Sequence, residues 1–133
     1  MKRRRTIARI VFLLYIAAVL YLCFGEFSSL SEVTKRFLGF AADKVAHFLM
    51  FFPFPILFYL AFGWPTHKAW HSLVLTLCIL AAGAAIAAGT ELVQDVIPYR
   101  ASDRADFRAD FLALCGASII TLLIDLNKTI RHA

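Results

Sequence analysis

Residues 91–110 read Glu91-Leu-Val-Gln94-Asp95-Val-Ile-Pro98-Tyr-Arg100-Ala-Ser-Asp103-Arg104-Ala-Asp106-Phe-Arg108-Ala-Asp110. Five acids and three arginines stand between two long apolar runs. Ionisable groups at membrane depth are costly, so they face a bundle interior or a polar cavity. A third polar cluster, Asp43-Lys44-x-x-His47, opens another apolar run. With alternating chain direction, all these groups fall at one end of their hydrophobic segments.

Working outward, the apolar segments number four. They run from about residues 7–24, 45–63, 72–91 and 107–126. Each is close to the roughly 20 residues a helix needs to cross a bilayer. Helices are required because lipid offers the backbone no hydrogen-bond partners. The chain is 61% hydrophobic and 17% charged, too apolar for a soluble domain. Its mean hydropathy is +0.74. The expected fold is all-α: one membrane domain over residues 1–133, a bundle of four transmembrane helices.

Charge sets the expected orientation. Lys2, Arg3, Arg4, Arg5 and Arg9 supply much of the formal charge of +5, and apolar sequence follows at once. That is a cytoplasmic anchor pattern and not a nucleic-acid footprint. No small-x-small cleavage site follows, so the first segment reads as an uncleaved membrane helix. Lys68 in the second connection and Lys128 and Arg131 in the tail lie on the same side. Both termini are therefore expected in the cytoplasm, with the first and third loops outside.

Local signals add detail. Ser29 and Glu32 have capping-box spacing, and Leu30, Val33, Phe37 and Leu38 recur at helical spacing. A short amphipathic helix in the first outer loop is expected. Pro53 and Pro55 should kink the second segment, read as a bent, lipid-facing helix. The run Ala81–Gly89 is rich in small residues and allows close approach, so the third segment is expected at the centre. Only 14 uncharged residues separate Asp110 from Asp125, so the fourth helix must take in one of these acids. Asp110 is placed one turn inside the outer boundary, facing protein. Cys23, Cys78 and Cys115 lie inside apolar runs and read as small buried residues. No metal-ligand spacing and no cofactor motif is present.

Taken singly, each polar group has a structural explanation. Asp43 caps the second segment, Lys44 snorkels or pairs with an acid, and His47 follows one turn later. Pro98 ends the third segment, Asp103 caps the fourth, and Arg104 and Arg108 pair with acids across single turns. Their convergence from three helices at one depth is what suggests a site.

The pattern Asp43-Lys44-x-x-His47-Phe48, followed by Glu91-x-x-Gln94-x3-Pro98-x-Arg100-x5-Asp106-x3-Asp110, resembles the VanZ-like family of small bacterial membrane proteins. The resemblance covers residues 42–117. The family usually has Asn where this chain has Asp110, and Gly where it has Ala113. The resemblance implies a multi-spanning protein of the bacterial cytoplasmic membrane and cell envelope. One member of that family is associated with resistance to a glycopeptide antibiotic. No settled reaction comes with the family.

The expected site therefore comprises Asp43, Lys44, His47, Glu91, Gln94, Arg100, Asp106 and Asp110. Its expected role is to bind a lipid head group, a lipid-linked cell-wall precursor or a glycopeptide-type antibiotic. The partners expected are membrane lipids and not nucleic acid. The alternatives are a small intramembrane enzyme and a structural subunit of a membrane assembly. In the enzyme, Glu91 or Asp106 would be base, His47 acid or cation, and Arg100 the charge stabiliser. No Ser or Cys nucleophile motif supports it. A metal held by Asp43, His47, Glu91 and Asp106 fits the ligand chemistry but is not expected. A transporter would need an acid deep in a span, and the acids here lie near segment ends.

Overall fold

The computed structural model describes residues 1–24, 41–97 and 104–132, without the side chains of 41–44, 104 and 105. These residues form helices α1 (Lys2–Phe24), α2 (Ala41–Phe51), α3 (Pro53–Phe62), α4 (Ala69–Asp95) and α5 (Arg104–Arg131). With α2 and α3 counted as one span, four helical stretches are long and apolar enough to cross a membrane. The segment proposed as an amphipathic loop helix lies outside the described residues.

The prolines act where expected. Phe52 keeps helical angles and donates its N–H to the Phe48 carbonyl at 3.0 Å. Pro53 and Pro55 have no N–H for the carbonyls one turn back, and the helix is interrupted at Phe52. At this break the Tyr15 hydroxyl donates to the Met50 carbonyl, so α1 supports the weakened turn.

The kinked stretch is more enclosed than expected at its break, while Val45, Leu49, Leu60 and Phe62 of the same segment stay exposed. Phe51, Phe54 and Pro55 are buried, and α3 packs against α1, α4 and α5. Phe12 of α1 explains the burial. Its ring lies 5.7, 5.6 and 5.4 Å from those of Phe54, Phe58 and Phe62, one per turn of α3. The rings meet tilted or edge to face, and α1 packs against α3.

Small residues seat α4 as expected, but only in part. A Cβ on Gly83 would stand 2.6 Å from Leu114 Cδ2 and 3.0 Å from Phe54 Cδ1, so this glycine marks a close crossing. A Cβ on Gly89 would meet nothing within 4 Å. Helix α4 packs against α1, α3 and α5, so it touches all three other spans, as expected of a central helix. Helix α5 packs against α2, α3 and α4, and its buried stripe runs Asp106, Asp110, Ala113, Leu114, Ala117, Thr121 and Asp125. That spacing of three and four keeps one face inward. The small residues Ala113 and Ala117 let α5 take this position.

At 28 residues, α5 is about 42 Å long and exceeds a hydrocarbon core of about 30 Å. The helix therefore takes in both Asp110 and Asp125, where one was expected. Fifteen residues, about 22 Å of rise, place the two acids near opposite ends of the bundle. Arg5 and Arg9 donate to the Gly63 and Ala61 carbonyls at 3.3 and 3.2 Å, joining the start of α1 to the end of α3. The Asp125 end is therefore the basic end, and the Asp110 end lies opposite.

Candidate functional site

At the opposite end, α2 and α5 bring three of the expected residues together. His47 Nδ1 is 3.1 Å from Asp110 Oδ1, and His47 Nε2 is 3.5 Å from Asp106 Oδ2. Asp106 and Asp110 lie one turn apart and so share a face of α5. His47 is offered by α2 one turn beyond its start. All three are buried, Asp110 to 2% exposure. An imidazole with a carboxylate at each nitrogen can donate to both when protonated, and to one when neutral. Among the described residues, two carboxylates and one imidazole meet here.

Glu91 sits at the rim. It is half-buried and within electrostatic range of Asp106, His47, Asp95 and Asp110. It thus connects the buried trio to the surface. Gln94 goes elsewhere: its amide donates to the Cys23 carbonyl at 2.8 Å. That bond satisfies a carbonyl in the last turn of α1 and ties α1 to α4. Asp43 and Lys44 belong to the first turn of α2, and their side chains lie outside the described residues. Arg100 and Asp103 also lie outside them. Of the eight expected site residues, His47, Glu91, Asp106 and Asp110 are brought together, Gln94 braces two helices, and three are not described.

Sequence reasoning missed a second polar cluster at the basic end. Asp125 is 3% exposed. Tyr59 and Thr66 donate hydroxyl hydrogen bonds to its two oxygens, each at 2.7 Å. Thr66 also lies 2.8 Å from the Thr129 hydroxyl, and Ser72 donates to Thr66 at 3.3 Å. Lys128 Nζ is 3.3 Å from the Tyr59 hydroxyl and 4.9 Å from the centre of that ring. The available signal was Asp125 itself, an acid in an apolar run. Its partners gave none, because hydroxyl residues recur throughout membrane helices.

No known family's sequence profile matches the chain, and no solved structure matches it. Among curated proteins, the chain is similar to the uncharacterized protein C11E3.10 of Schizosaccharomyces pombe, 32% identical over 98 residues. The match covers 68% of this chain and 57% of that protein.

Proposed function

We propose that the chain is an integral membrane protein of VanZ-like type whose acidic end binds a lipid headgroup. One observation carries the reading: His47, Asp106 and Asp110, 63 residues apart at the extremes of the quoted motif, meet inside the bundle. A motif that only capped helix ends would not need its members in contact. Burying two carboxylates and an imidazole beside apolar spans costs stability, and such groups are retained where they bind or move something.

The described carboxylates, Asp106, Asp110 and the rim residue Glu91, suit a cationic headgroup, an ammonium that approaches past half-buried Glu91. Lys44 and Arg100 flank the cluster in sequence and suit the accompanying phosphate, helped by the start of α5 at this end. Positive-inside charge supports both termini in the cytoplasm and this site on the outer face. A headgroup is common to bacterial and fungal membranes, which favours it over a cell-wall precursor or a glycopeptide-type antibiotic, given the yeast relative. The bacterial cytoplasmic membrane is the location that the VanZ-like resemblance supports.

The test is lipid retention. Wild type and Glu91→Gln are purified in one detergent and offered phosphatidylethanolamine and phosphatidylglycerol, with bound lipid counted by native mass spectrometry. The expected result is preferential retention of the amine lipid by wild type and its loss in Glu91→Gln without a lower unfolding temperature. Equal retention by both proteins removes the reading. The second reading, a brace within a membrane assembly, is favoured by the Gln94 bond to Cys23. It predicts a lowered unfolding temperature in Asp110→Asn and no lipid preference.

A further inference from the structure

The basic end carries a pocket that the reading above does not use. It has a volume of about 460 Å³, within the range of small-molecule sites. Its lining includes Arg5, His67, Lys128 and His132, with Asp125 as the acid among them. Both oxygens of Asp125 already accept hydroxyl hydrogen bonds, so the carboxylate is committed to Tyr59 and Thr66. Four basic side chains thus surround a cavity that holds one acid, whose charge is met by hydroxyl donors and Lys128. Lys128 is held against the Tyr59 ring and hydroxyl, which fixes its position before any ligand arrives. Arg5 spends one N–H on the Gly63 carbonyl and has further donors in its planar fork.

The depth of the pocket identifies its surroundings. It lies where α3 ends, α4 begins and α5 ends, at one end of the candidate membrane spans. Exposed Trp64 lines it, and Trp70 opens α4 nearby. Indole rings favour the headgroup layer of a membrane.

We propose that this pocket binds a phosphate group, and that the phosphate belongs to an anionic lipid headgroup. Arginine supplies paired donors to phosphate oxygens and lysine a point charge. Asp125 has a positioning role: it orders Tyr59, which in turn seats Lys128. The site is separate from the acidic end and does not depend on the function proposed for it.

The full chain in nanodiscs of phosphatidylcholine is the starting material. Phosphatidylglycerol, further phosphatidylcholine and inorganic phosphate are the probes, with lipid retention and unfolding temperature as readouts. Phosphatidylglycerol is expected to be retained and to raise the unfolding temperature. Lys128→Gln should weaken that retention about fivefold, the worth of one basic residue near a surface phosphate. Lys128→Arg should restore it. Arg108→Gln, the same charge change at the other end, should leave it intact. Were Lys128→Gln to unfold, Arg5→Gln takes its place with the same expectation. Equal retention of the zwitterionic lipid, or an equal loss in Arg108→Gln, overturns the proposal. A matching rise with inorganic phosphate alone keeps the phosphate chemistry and overturns its assignment to a lipid.

Discussion

The two ends of α5 each bury aspartate and satisfy it by different means. At the basic end, Asp125 accepts from two neutral hydroxyls on the same bundle, and Thr66, Ser72 and Thr129 extend the network. At the opposite end, Asp106 and Asp110 meet a titratable group, His47, with Glu91 within electrostatic range. Neutral donors hold a fixed pattern of hydrogen bonds, whereas an imidazole between two acids changes partners when its proton number changes. The first arrangement suits a brace that seats a binding residue, the second a site whose charge responds to what arrives. The comparison turns on the donors, because the acids are chemically alike.

The sharpest way to break the contrast is Asp125→Ala. It leaves the half-buried Tyr59 and Thr66 hydroxyls without their shared acceptor, and a loss of about 2 kcal/mol is expected. Thermal unfolding in detergent measures it. Asp110→Asn keeps shape and an acceptor for His47 and should cost under about 1 kcal/mol. An equal loss in the two variants would make both ends braces.

Next in size is Gly83→Ala, where the added methyl meets Leu114 and Phe54 between the two clusters. A loss of about 1–2 kcal/mol is expected from overpacking. Gly89→Ala, with open space around its Cβ, should instead gain about 0.5 kcal/mol from helix propensity. Tyr59→Phe removes two interhelical hydrogen bonds, to Asp125 and from Lys128, and should cost about 1 kcal/mol. The smallest effect belongs to Glu91→Gln, within about 0.5 kcal/mol of wild type at this half-buried rim. A large drop there would mean the rim is structural and would erase the difference between the ends.

The four spans were legible because length and hydropathy decide them. So was the meeting of His47 with Asp106 and Asp110, because ionisable residues beside apolar runs must converge. The central place of α4 was legible, and the share of the core that α5 takes was not. Small residues on α4 marked one close crossing at Gly83, while the polar inward stripe of α5 set the packing order. Gln94 was misread for a different reason: its partner is the backbone carbonyl of Cys23, and no side-chain pattern encodes a backbone acceptor. The Asp125 cluster escaped because Tyr59, Thr66, Ser72 and Thr129 lie on separate segments and carry no motif.

Every side chain that contacts α5 in these clusters belongs to a segment made earlier. As the chain leaves the ribosome, His47, Tyr59, Thr66 and Ser72 enter the membrane before Asp106, Asp110 and Asp125 exist to meet them. The three earlier spans can hold their aromatic contacts, Phe12 on α3, yet keep an unfilled polar seam. Insertion of α5 closes that seam at both ends in one event. A chain stopped before α5 would therefore show its unmatched polar side chains to quality-control proteases, while a completed one would not. Biosynthesis thus has a natural checkpoint in the arrival of a single helix.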